Sequence, residues 1–557
     1  MTGSRILVCG ALLLLLMGGF PARAGDPTQS RVGRIAVAEG NVAVRLAASD
    51  RPAASHRAGE WADAGLNHPI AAGMSVRSSA QGRAVLRIGA EIIALSGATE
   101  FEIVQLDHGG ARITLRRGRI GVRLSQSDPA HRFDIDIPRG GVSLIAPGDY
   151  DIMAGDDNAP ARLAVMNGAA RFAGKGLDVA VSTAAAILLG GNDPVAALPG
   201  GTDGDDFVAW WRPAKRDAPE PALHHVSAAM TGREALDEHG NWETVDGYGA
   251  VWFPQELPDD WAPYRQGQWR WIGPWGWTWI DDMPWGFAPS HYGRWAKLGG
   301  SNADAGRWGW VPGKPEKHPA YMPAVVAFLG TAGVGLSYPD AFSPAVAWFP
   351  VAPGEVYWPD FTGDLDAIRR LNAGAVDDPE TIGPALKDDP PADIVAGEYR
   401  NRRFASVVPR SVFIGGKPVA KALIELPSRR LDNAPLLAGS PQISPPTPRP
   451  AVMVSSGAGS NSVTPKRAKA AETLAKILKT RPAKKSDAKT QSAKKSDLKT
   501  RSAKKIDPKA RTAKKSDIKT RQKPRASPTA AQARTDSKSL KKGSRAAAVR
   551  QASDGGG

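Results

Sequence analysis

Eight of the 35 residues from Trp261 to Trp295 are tryptophan, and Arg265, Asp281, Asp282, His291 and Arg294 lie among them. Flat indole rings stack on the apolar faces of sugars, and indole N–H groups, arginine, aspartate and histidine supply polar contacts. A glycosidase needs more than this, because its two carboxylates must face each other about 5–9 Å apart. Asp281 and Asp282 are neighbours at a hairpin exit, where aspartates commonly form turns. His224 and His225 are adjacent too, and side chains one apart on an extended chain point away from each other, which disfavours a metal site. The sequence contains no Gly-rich phosphate loop, no His-Glu-x-x-His and no Gly-x-Ser-x-Gly. The expectation is a chain with no catalytic residues, no metal and no cofactor, whose candidate ligand contacts are Trp261, Arg265, Asp281, Asp282, Trp285, His291 and Arg294.

The tryptophans are spaced by a repeat. "LDEHGNW" (236–242), "PYRQGQW" (263–269) and "PSHYGRW" (289–295) share the pattern Leu/Pro-x-x-x-Gly-x-Trp. A second aromatic run follows each: "YGAVWFP" (248–254), "WGWTWID" (275–281) and "GRWGWVP" (306–312). Asp246-Gly247, Gly273-Pro274 and Gly299-Gly300 separate the runs with turn chemistry. The reading is three strand–turn–strand repeats over 236–312. Period two puts Trp269 and Trp271 on one face of a strand, and Trp275, Trp277 and Trp279 on one face of the next. Short strands with few aliphatic residues need stacked rings as their core, so burial is the expected role of most. Trp261 and Trp285 lie in Pro-rich connections, where rings can remain exposed, and are the place for platform behaviour if any ring shows it.

The region before them alternates apolar and polar residues in short runs broken by glycine, as in "GRIAVAEGNVAVRL" and "GRAVLRIGAEIIALSGATEFEIVQL". This predicts an all-β, sandwich- or solenoid-like domain over 31–190. A transition rich in Asp, Pro and Ala at 191–235 reads as a linker. The fold class expected overall is all-β and multi-domain, with a disordered basic C-terminal tail.

Two resemblances follow from these residues. Asn67-x-Pro69, Gly73, "GRAVLRIG", "ALSGATEFEIVQLD", "RITLRRGRIGVRL", "FDIDIP" and "APGDYDI" resemble the FecR domain, a periplasmic β domain that in its namesakes follows a cytoplasmic anti-sigma segment and one membrane helix. That implies a ligand-sensing role, although a leader stands here in place of the cytoplasmic segment. The wording of 236–420, including "WFPVAPGEVYWP" and "YRNRRFASVVPRSVFIGGKPV", is similar to exported bacterial proteins with tryptophan- and proline-rich repeats. That resemblance implies a layout and an address rather than an activity.

Arg5, an apolar run from Ile6 to Gly19 and Ala22-Arg23-Ala24 read as a signal peptide over 1–24, too short in its apolar part to span a bilayer. The one cysteine, Cys9, lies inside it, so no disulfide or thiolate site is expected afterwards. At the other end, 434–464 reads as a Pro/Ser/Gly linker. A ten-residue repeat then starts at Ala483, Ala493, Ala503 and Ala513, and each unit carries a lysine pair: Lys484 and Lys485, Lys494 and Lys495, Lys504 and Lys505, Lys514 and Lys515. From Pro465 to Gly557 there are 29 Lys and Arg against 7 Asp and Glu, so this tail holds +22 and the remainder −6 of the net +16. So few apolar residues cannot offset ordering entropy, and the tail reads as disordered.

Such a tail binds polyanions by counterion release, without reading sequence. With an exported address the partners expected are lipopolysaccharide, anionic lipid or acidic polysaccharide, with peptidoglycan for the folded part, in preference to nucleic acid. The functional expectation is an exported, periplasmic or envelope-associated, non-enzymatic binding or scaffolding protein. The alternatives are a FecR-like ligand-sensing component and a glycan-processing enzyme. Mass spectrometry of the secreted protein should find Gly25 as its first residue. A chain retaining Met1 in the cytoplasm would overturn the address and restore nucleic acid as a partner.

Overall fold

The computed structural model describes residues between Thr28 and Ile443, apart from 47–59, 126–130, 213–220, 300–305, 331–335, 337–343, 380–381, 383–398 and a few single positions. The leader and the lysine repeats lie outside the described residues. Those described belong to one compact unit, Met1–Ile477, and the fold is all-β with a few short helices.

Alternating strands need two sheets to bury one face of each. Among the described residues, 33–200 supplies two sheets of nine strands. "GRIAVAEGNVAVRL" forms the expected strands, Gly33–Glu39 and Val42–Leu46, but they do not pair with each other. The first pairs with Pro69–Ile70 and Arg83–Ile88, and the second with Ala62–Asp63 and Met74–Ser78. The turn at Gly40 therefore carries the chain from one sheet to the other. Later strands continue the alternation: Glu100–Asp107 and Gly110–Arg117 in one sheet, Arg119–Leu124 in the other, Arg132–Ile137 and Gly140–Leu144 in the first again. Ile35, Leu86, Phe101, Ile113, Tyr150 and Phe172 fill the core between the sheets.

The segment 191–235, expected as a linker, is largely ordered cover. Ala196–Gly200 is an edge strand of the sandwich. Helix Asp206–Trp211 is capped by Asp205, whose side chain accepts from the Val208 N–H. Trp211 lies over Gly121, where a Cβ would collide with its indole. Around it the buried Asp149 and Asp151 pair with Arg119, Arg123, Arg162 and Arg212. Ala222, Val226, Met230 and Leu236 then enter the next core. The composition suggested a linker because its apolar anchors are few and far apart.

The aromatic repeats form three antiparallel hairpins: Gly240–Val245 with Gly249–Pro254, Gly267–Ile272 with Gly276–Asp281, and Arg294–Leu298 with Arg307–Val311. Each places a tryptophan directly opposite another: Trp242 and Trp252, Trp269 and Trp279, Trp295 and Trp310. The glycine of each repeat explains the motif. A Cβ at Gly267 would lie 2.6 Å from the Trp279 ring, one at Gly293 2.7 Å from the Trp310 indole nitrogen, and one at Gly240 inside contact distance of Trp252. The bare backbone is where the opposite ring lies.

A further sheet is built from Val326–Leu329, Ala345–Pro350, Ser406–Pro409 and Leu436–Leu437. Its last strand falls in the stretch expected to begin a linker, so packed structure continues to Ile443, which is 3% exposed.

Gly240 is extended and accepts any residue by backbone conformation alone, so Gly240→Ala tests the steric contact. It should destabilise the protein by about 1–3 kcal/mol. Gly190→Ala, where a Cβ meets nothing within 4 Å, should be near neutral. Thermal melts of the two variants check this, and equal melting would show that the ring does not need the bare backbone.

Candidate functional site

The three hairpins and their neighbours enclose one aromatic cluster. Trp252, Trp269, Trp275, Trp277, Trp279, Trp295, Trp310 and Trp348 are all buried. Trp269 lies 5.3–5.5 Å, centroid to centroid, from Trp279, Phe328, Trp348 and Phe413. Several contacts are edge-to-face, the geometry the ring quadrupole favours. The rings are core, and they do not form a platform.

Trp261 and Trp285, the place for any platform behaviour, are 8% and 2% exposed. They pack on each other at 5.6 Å, on Trp295 and on Trp252. Proline-rich connections expose a ring only when nothing distant covers it, and here distant segments do.

The polar candidates do not converge on one cavity. Asp281 is buried, and Trp279 Nε1 and the Met283 N–H donate to its carboxyl at 2.8 and 2.9 Å. Burial pushes its pKa up to about 7, against the pull of these donors. Asp282 is exposed, so the two carboxylates do not face one another across a groove. His291 donates from Nδ1 to the Met322 carbonyl at 2.7 Å and packs on Phe287 and Tyr321. Burial pulls its pKa down to about 3, so the ring is neutral. Ser290 meets the Asp281 carboxyl at 3.5 Å, yet the His291 ring bonds to backbone, so the three do not assemble a nucleophile–base relay.

Arg265 is half-buried and donates to Ser406 Oγ and the Asp260 carbonyl. Arg294 is 1% exposed. Its guanidinium donates to the carbonyl of Gly293 and to Asn372 Oδ1, each at 2.8 Å. Burial pulls its pKa down to about 10, which leaves it cationic at neutral pH. Asn372 also receives the Tyr357 N–H and donates to the carbonyls of Tyr357 and Ile368. The pair therefore pins helix Leu365–Asn372 to the aromatic region.

The polar constellation that does converge lies where the sandwich meets the aromatic cluster, and sequence reasoning did not assemble it. Asn67 is fully buried and left-handed, with φ 62°, a conformation asparagine tolerates better than most residues. Its Nδ2 donates to the carbonyls of Asp281 and Met283 at 2.8 and 2.7 Å. Its Oδ1 accepts from Arg34 Nη1 at 2.6 Å, and Arg34 also donates to the Pro284 carbonyl. Glu234 pairs with Arg34 at 2.8 Å. Burial works to raise the Glu234 pKa, but Arg34 and Arg87 hold it below the usual range. Thr231 Oγ1 donates to the Val32 carbonyl and accepts from the Gly89 N–H. Val32, Ala71 and Met74 of the sandwich join the aromatic cluster itself. Asn67 was visible as a motif residue, but the two carbonyls that its amide meets, those of Asp281 and Met283, lie more than 200 positions away.

A model described as a family of unknown function, DUF6600, matches residues 233–355. The match starts at the Arg233-Glu234 edge of this seam and spans all three hairpins. No curated protein matches the chain. Two crystal structures of a protein from Parabacteroides distasonis, described as an anti-sigma factor, are similar to it at 11% identity and a TM-score of 0.22, each over 25% of this chain. The chain spans 65% and 64% of their lengths.

Trp277→Ala should destabilise the protein by about 3–5 kcal/mol, since its ring is 3% exposed and packs on Phe413 at 4.4 Å. Asn67→Ala should cost about 2–4 kcal/mol, by leaving two carbonyls and part of a guanidinium without their partner. Denaturant unfolding checks both. A Trp277→Ala protein as stable as its parent would refute the core assignment.

Proposed function

We propose that this is an exported, non-enzymatic protein of the cell envelope that binds or scaffolds envelope components, with its polycationic tail as an electrostatic tether. The observation that carries the reading is the segregation of charge, +22 on residues 465–557 against −6 on the rest. The leader-like residues 1–24 support the address, and that address favours lipopolysaccharide, anionic lipid or acidic polysaccharide as the polyanion. The closed aromatic cluster supports it from the other side, because rings that fill a core are not free to stack on a glycan. The binding load then falls on charge. The two-sheet architecture of 33–200 is compatible with a FecR-like domain, which in this reading is a rigid spacer or sensor module.

The tail should bind polyanions by charge alone. The full chain should be retained on heparin and on lipopolysaccharide vesicles, with affinity falling about a thousandfold or more between roughly 50 and 200 mM salt. Deleting 465–557 should abolish retention without changing the melting temperature. Equal retention of the truncated chain at low salt would sink the tether.

A further inference from the structure

We infer that one edge of the last sheet is a basic face that docks the folded part onto an anionic lipid surface. From Tyr399 to Asn433 there are 8 Lys and Arg against 2 Asp and Glu, a balance of +6 within the 464 residues before the tail, which balance at −6. Arg400, Arg403, Lys417, Lys421, Arg429 and Arg430 are exposed. Of these, Arg400, Lys417, Lys421, Arg429 and Arg430 have no ion pair among the described residues. The outer face of the sandwich is different. There Arg112 is matched by Asp136, Arg116 by Glu102, Arg117 by Glu100 and Arg171 by Asp178. A matched cation has little field left for an outside anion, whereas an unmatched one adds its full attraction.

Folding brings the unmatched cations to one edge. Helix Arg410–Ile414 follows strand Ser406–Pro409, and just beyond it the Lys417 N–H meets the Val412 carbonyl at 3.1 Å. The chain then returns along the strand, with the Ile424 N–H on the Val407 carbonyl at 2.8 Å. On that return Ala422, Ile424 and Leu426 are half-buried, and Lys421, Leu423, Glu425 and Pro427 are exposed. Helix Ser428–Asp432 next packs on the turn Arg402–Phe404, where Arg402 Nε donates to the Leu431 carbonyl at 2.9 Å. Arg429 and Arg430 therefore lie near Arg403 at one end of the edge, and Lys417 and Lys421 lie at the other. Glu425 and Asp432 are exposed as well, and leave the cations in excess.

Leu423 selects the partner. It is 37% exposed and shares the outward side of the return with Lys421. A soluble polyanion offers such a side chain nothing. The boundary between headgroups and acyl chains takes it in, while flanking cations stay with the phosphates. The face acts on a chain that the tail has brought to the surface, and so it rests on the tether reading.

Hydrogen exchange of the full chain would be followed with and without vesicles of phosphatidylethanolamine and phosphatidylglycerol, at about 0.1 M salt. Vesicle binding should slow exchange over 417–430 and leave 171–182 unchanged. In co-sedimentation K417E/K421E/R429E/R430E should bind the vesicles about tenfold more weakly than the parent, with the slowing lost and the melting temperature unchanged. Leu423→Ser should weaken binding to vesicles but not to heparin. A parent chain that binds vesicles without slowing over 417–430 would overturn the face and leave the tether standing. A parent chain that does not bind them at all would remove the tether from lipid and the face with it. Undiminished vesicle binding by Leu423→Ser would overturn lipid as the partner. If the quadruple variant does not fold, K421E/R430E decides in its place, and parental affinity in it overturns the face.

Discussion

Three of the buried indole rings of the hairpins lie over backbone that has no room for a side chain. That constraint organises the second half of this molecule. Trp252, Trp279 and Trp310 each lie across a repeat glycine, and each stands opposite the tryptophan that follows that glycine by two positions. The glycine admits one ring, and the paired strand delivers the second. Once three hairpins are built this way their rings share one interior, so no hairpin is a separate core. The sandwich then closes that interior with Val32, Ala71 and Met74.

Several polar groups inside this interior meet partners that offset the cost of their burial, whereas the indole nitrogens of Trp261, Trp269 and Trp275 do not. Trp252 donates to the Leu236 carbonyl, Trp310 to the Tyr292 carbonyl and Trp279 to Asp281. Arg294 is a whole charge sunk among neutral oxygens. A buried charge of this kind contributes little net stability, but few alternative packings can satisfy it. Arg294 and Asn372 hold together hairpin and helix segments 78 positions apart. The polar contacts therefore select among arrangements that a greasy aromatic core would otherwise tolerate.

What could be read in the sequence was what is local. The repeat, its turns and the pairing of tryptophans within hairpins follow from spacing of two and of about 27 residues, and so does the alternation of the sandwich strands. What could not be read depends on segments far apart. Trp261 and Trp285 look open because their neighbours are prolines, yet Trp252 and Trp295 cover them. Residues 206–211 look like part of a linker, although Trp211 seats on Gly121. Arg34 and Glu234 look like ordinary surface polars and Asn67 like a motif residue, and only folding brings the three together at one seam.

Ile443 bears on how the protein could carry a load. Its side chain is buried in the aromatic cluster, and its carbonyl takes the Trp277 indole N–H at 3.3 Å. The end of the described chain is held by short attachments, which include this contact and the pairing of the two-residue strand Leu436–Leu437 with Val326–Leu329. So short a ladder carries little load, and tension applied at Ile443 would pass through the Trp277 indole into the central hairpin, which makes that hairpin the anchor point.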